Sequence, residues 1–145
     1  MGRPSVDWVE AQQKAAAIDK WTEIIMRAIT KKVAKRWKFV SFRGSRGGEW
    51  RGIVDALAIR KDTSKPGSER LKRGDLFDIM LIQMKGGSAK FPTPEEKKRL
   101  KAVAKYYRAK NVVLFEWKKG KRTQFYVLNR KNEWKEIKTP DLFGS

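Results

Sequence analysis

Apolar positions follow two different periods along this chain, and the change from one to the other divides it into elements. From Asp7 to Arg36, Ile18, Trp21, Ile25, Ile29 and Val33 recur at three- and four-residue spacing behind the capping-box-like start "DWVE". That spacing predicts one long helix, or two with a bend near "AAAIDK". The period then drops to two. "WKFVSFR" at 37–43 predicts a strand, "GSRGG" at 44–48 a basic turn, and "EWRGIVDALAIRK" at 49–61 the next strand. Residues 61–74 are loop by composition. "DLFDIMLIQMKGG" at 75–87 is apolar on both faces, as a strand in the middle of a covered sheet would be.

"TPEEKKRLKAVAKYYRAK" at 93–110 predicts a helix with defined ends: Thr93 as N-cap, Pro94 at the first position, Glu96 closing a capping box, and a stripe of Leu100, Val103, Ala104 and Tyr107. Its basic residues predict a solvated face. "NVVLFEWKK" at 111–119, "TQFYVLN" at 123–129 and "EWKEI" at 133–137 read as strands, and the tail "KTPDLFGS" as an arm. The order is therefore helix, three strands, helix, strand and a terminal hairpin. It predicts one domain over 1–145 of α/β (α+β) class, with three layers and a mixed central sheet, 119–138 supplying the C-terminal strands and 139–145 the tail.

Composition narrows the chemistry. With 145 residues, 40% of them hydrophobic and six tryptophans, the chain can bury a core without staples. Lys and Arg number 35 against 16 Asp and Glu, a formal charge of +19, which a polyanion would neutralise. Nucleic acid is the expected partner, DNA first and RNA as the alternative. No apolar run approaches the ~20 residues of a membrane span, so a cytoplasmic, DNA-associated protein with no membrane partner is expected. Cysteine and histidine are absent, which excludes disulfides, Cys/His zinc sites, thiol nucleophiles and imidazole bases. Catalysis would rest on carboxylates, lysine and a hard metal bound by oxygen.

Three polar residues interrupt the strands. Side chains alternate, so Ile53, Asp55, Leu57 and Ile59 share a face, as do Ile79, Leu81, Gln83 and Lys85, while Asp78 lies on the other. Asp55 stands between Val54 and Ala56, where a lone carboxylate is costly unless paired or bound to a metal. A carboxylate and an amide oxygen together suit Mg²⁺ or Mn²⁺, and a neighbouring lysine can position the attacking water. Read singly, Gln83 and Lys85 are ordinary polar residues near a strand end.

The stretches "TEIIMRAI", "GIVDALAI", "MLIQMKGG" and "EEKKRLKAVAKYYRAKNVVLFEW", in that order, resemble the core of the PD-(D/E)xK (restriction endonuclease-like) nucleases over about residues 18–118. The Gln form is similar to Mrr-type endonucleases, and "VSFRGSRGG…VDALAI" to archaeal Holliday-junction resolvases. The resemblance implies a Mg²⁺- or Mn²⁺-dependent endodeoxyribonuclease. Asp55 and Gln83 would be metal ligands, the Met84 carbonyl a further one, and Lys85 the catalytic lysine. Glu23 would be the helix glutamate, with Asp19 or Glu10 as substitutes. It also implies a homodimer as an assembly to test. Arg43, Arg46 and Arg51 on the glycine-rich turn, with Ser45 and Glu49, would meet the DNA backbone, and Lys90 would follow beside the scissile phosphate. Trp50 and Trp117 could stack on bases, although strand tryptophans are more often core. The same fold and charge would equally serve a nucleic-acid-binding module without activity.

Overall fold

A computed structural model describes residues 24, 26–28, 30, 31, 35–42, 52–86, 91–117 and 123–144. Its centre is a six-stranded mixed sheet with the strands in chain order. They are β1 (Lys38–Ser41), β2 (Ala56–Lys61), β3 (Phe77–Gly86), β4 (Asn111–Trp117), β5 (Gln124–Leu128) and β6 (Trp134–Ile137). Only β3 and β4 are parallel; the other neighbours are antiparallel. A parallel pair needs a crossover, which α1 (Pro94–Tyr107) supplies. The helix forms where the sequence predicts, with the reciprocal Thr93–Glu96 capping box in place and Arg108 closing it in the left-handed conformation at φ 53. Helical residues 24, 26–28 and 30 precede β1, so the element order and mixed sheet expected from the sequence are the ones seen.

Alternation along the strands separates two cores. On one face Ala56, Ala58, Met80, Ile82, Met84, Val113 and Phe115 pack with Met26 and Trp37. On the other, Ile53, Leu81, Val112 and Leu128 pack with Leu100 of α1, which is fully buried. β3 is central and buried on both faces, as its unbroken apolar run predicts.

Three expectations are corrected. The tail is not an arm: Thr139–Phe143 forms a short helix, α2, and Leu142 and Phe143 enter the first core. The Trp37 indole N–H donates to the Phe143 carbonyl at 3.0 Å, and the two rings meet edge-on. Five residues are too few to display a helical period, so the tail could not be read as an element. Tyr107, placed on the buried stripe by its spacing, is 60% exposed at the last turn of α1. And Asp55 is not mid-strand, because β2 begins only at Ala56. Trp117, by contrast, packs against the first core. No helix among the described residues is long and apolar enough to cross a membrane.

Candidate active site

The chain enters β2 through an irregular step. Ala56 is paired with Ile82, yet the Asp55 N–H also donates to the Ile82 carbonyl at 2.9 Å, so two residues of one strand stand against one of the next. That is the arrangement of a β-bulge, which breaks the ladder and re-aims the side chain at the break. The Asp55 side chain then takes over a position a backbone carbonyl would have filled: its Oδ2 accepts the Met84 N–H at 2.8 Å. The Asp55 carbonyl accepts from Phe42 N on the other side, tying β1 to the same point. Asp55 is thus fixed against the residue between Gln83 and Lys85.

On β3, Ile79 and Leu81 face the α1 core while Met80, Ile82 and Met84 face the other. Continued alternation carries Gln83 and Lys85 onto the α1 side. Gln83 is 5% exposed, and its Oε1 is buried with no hydrogen-bond partner among the described residues. An unsatisfied buried amide oxygen costs about 1–3 kcal/mol. This polar position lies one residue from the Asp55 contact.

The charge of Lys85 reaches the first turn of α1. The Glu96 carboxyl is held below its ordinary value, chiefly by the Thr93 backbone N–H; burial opposes this, and the Lys85 charge lowers it by a smaller amount. Across the parallel pair Lys85 is the register partner of Glu116 on β4, whose side chain therefore projects from the same face. The Tyr126 hydroxyl, on β5, bonds Glu116; burial first, then the charges of Glu116 and Glu136, push this phenol above its ordinary value. Phe91 packs edge-on against the Tyr126 ring at 5.1 Å.

The structure therefore brings Asp55, Gln83, Met84 and Lys85 to one end of the sheet. Asp78, assigned to the opposite face by parity, lies away from them: it bonds Arg60 Nε at 2.9 Å, and Arg60 in turn stacks over Trp37. Glu23, Asp19 and Glu10 lie outside the described residues, as do Arg43, Ser45, Arg46, Glu49, Trp50, Arg51 and Lys90. Sequence reading missed Glu116, Tyr126 and Glu96 as neighbours of the site. Glu116 was findable in principle, since it breaks the apolar run "NVVLFEW" at its C-terminal end as Gln83 and Lys85 break theirs, but its partner depends on the β3–β4 register.

The donors here are hard oxygens: a carboxylate, an unsatisfied amide oxygen and the Met84 carbonyl. They suit Mg²⁺ or Mn²⁺, which favour oxygen ligands and retain waters. Among the described residues no group of three or more Asp or Glu side chains is placed to hold a metal.

No protein-family model matches the chain, and no curated protein matches it either. Among solved structures it is similar to Hjc, a Holliday junction resolvase of the archaeal hyperthermophile Archaeoglobus fulgidus, with a TM-score of 0.46 and 14% identity. The match covers 85% of this chain and 92% of that one. Likeness at this level says nothing about chemistry.

Proposed function

We propose that the protein is a metal-dependent DNA nuclease acting in repair, recombination or restriction. The observation that carries this reading is the buried Gln83 amide oxygen, unsatisfied among the described residues, beside the Asp55–Met84 contact and Lys85. Asp55, Gln83 and the Met84 carbonyl would hold Mg²⁺ or Mn²⁺. When bound, the metal supplies Lewis acidity to a phosphodiester oxygen and acidifies a coordinated water. Asp55 is held ready by the bulge, because the Met84 N–H fixes its carboxylate before any ligand arrives. Lys85 offsets charge on the phosphate and orients the attacking water. Glu23 would complete the acidic set from the N-terminal helix. Arg43, Arg46 and Arg51 would grip the backbone, with Ser45 and Lys90 alongside. A homodimer would place two such sites on two strands.

The test is cleavage of supercoiled plasmid and of a synthetic four-way junction with Mg²⁺, Mn²⁺ or EDTA, comparing wild type with Asp55→Ala and Lys85→Ala. Cutting that needs metal and is abolished in both variants is the expected result. Tight, salt-sensitive binding with no cutting in any metal would replace this reading with a binding module on the same fold.

A further inference from the structure

Exposed cations stand at the end of the sheet away from Asp55. β3 has ten residues, so at ~3.3 Å each its first residue lies about 30 Å from its last. Gln83 and Lys85 are near the last. Around the first is the loop joining β2 to β3, which exposes Lys65, Arg70, Lys72 and Arg73. The loop has a defined shape: Asp62 N–H donates to the Leu76 carbonyl at 2.8 Å, Gly74 N–H to the Asp62 carbonyl at 3.1 Å, and Gly74 adopts φ 88. Two of its acids are engaged in building that shape. Asp62 caps the backbone and side chain of Ser64, and Asp75 accepts the Lys72 N–H at 2.7 Å. The end of α1 adds to the same pole. Lys110 N–H donates to the Ile79 carbonyl at 2.7 Å, which sets exposed Arg108 and Lys110 beside the start of β3.

Aromatic side chains stand open among these cations. Phe77, the first residue of β3, is 59% exposed, and Tyr106 is 80% exposed on the last turn of α1, its ring edge-on to Tyr107 at 4.9 Å. Phosphate contacts need only cations, whereas π-faces standing among cations match a strand whose bases are unstacked.

We infer that this pole, formed by the β2–β3 loop and the C-terminal end of α1, binds single-stranded nucleic acid, with Lys65, Arg70, Lys72 and Arg73 on its phosphates and Tyr106 and Phe77 against its bases. Its distance from Asp55 makes it a second site for the polyanion. It holds a strand whether or not the Asp55 end cleaves.

The test is fluorescence anisotropy of a labelled oligothymidylate, and of a hairpin duplex with the same number of phosphates, over a range of NaCl. EDTA is present throughout, so cleavage plays no part. The full-length Lys65→Ala/Arg70→Ala/Lys72→Ala/Arg73→Ala variant is compared with wild type and with a charge-matched control, Lys98→Ala/Arg99→Ala/Lys135→Ala/Lys138→Ala. The loop variant should bind oligothymidylate roughly tenfold or more weakly, with a salt slope shallower by up to about 3, at about 0.7 for each phosphate deprived of its cation. The control should be weakened less. Tyr106→Ala, at a position too exposed to affect folding, should weaken the single strand roughly tenfold and spare the duplex. Equal weakening in the loop variant and the control, or equal weakening for single strand and duplex, would overturn the assignment.

Discussion

The two faces of β3 differ in chemistry but hardly in burial. Met84 on one face is 4% exposed and Gln83 on the other is 5% exposed. Met84 continues the row of Met80 and Ile82 into an apolar core that also holds Phe115, Phe125 and Phe143. Gln83 continues the row of Ile79 and Leu81, yet it ends that row in an amide whose oxygen has no partner among the described residues. One face thus carries stability through to the strand end, and the other gives it up over its last residues. On the proposed reading, the difference marks where function has displaced packing.

Mutations on the packed face should cost the most. Phe115→Ala removes a fully buried ring at the centre of the first core and should destabilise by about 3–5 kcal/mol, read by urea denaturation. A drop below about 1 kcal/mol would mean that this face is not the one that holds the fold. On the other face the large effect should fall on activity. Asp55→Asn keeps an oxygen to accept the Met84 N–H but loses the negative charge, so cleavage should drop at least about a hundredfold while the urea midpoint barely moves. Unfolding of this variant would show that the charge itself holds the bulge.

Gln83→Leu sharpens the contrast. It removes the orphaned oxygen and fills the space with carbon, so in EDTA the variant should be more stable than wild type by about 1 kcal/mol, and it should cut DNA far more slowly. If stability falls instead, Gln83 Oε1 has a structural partner, and its reading as a cation ligand fails.

The elements were the more legible in the sequence. The apolar strand runs, the Thr93 capping box and the spacing of α1 are local signals, each written in a few neighbouring residues. On the polar face the residues themselves were legible: Asp55 is costly where it stands, and Gln83 and Lys85 could be singled out with it because the three together interrupt apolar runs. What alternation could not supply was their arrangement. Period two assumes an unbroken ladder, and the bulge at Asp55 breaks it at the residue in question. Glu116 and Tyr126 were hidden for another reason, since their neighbours are set by pairing between strands distant in sequence.

Glu96 offers the finest test, because it reports on Lys85 without taking part in the proposed chemistry. Its carboxyl titrates below the ordinary 4.5, chiefly through the Thr93 backbone N–H against an opposing effect of burial, and less strongly through the Lys85 ammonium, the Thr93 side chain and the Arg99 charge. A depressed acid stabilises the folded state above its unfolded value, and that contribution disappears as pH falls through the folded value. Glu96→Gln should therefore match wild type under strongly acidic conditions and fall behind it by about a few tenths of a kcal/mol at neutral pH. Lys85→Met should move the Glu96 titration partway back toward its ordinary value, since the Thr93 N–H remains, as followed by carbon-13 NMR of the carboxyl group. No movement would place the ammonium away from the first turn of α1. Lys85 would then have to be held by Glu116 alone, and the polar end of this face would be arranged around β4 instead of the helix.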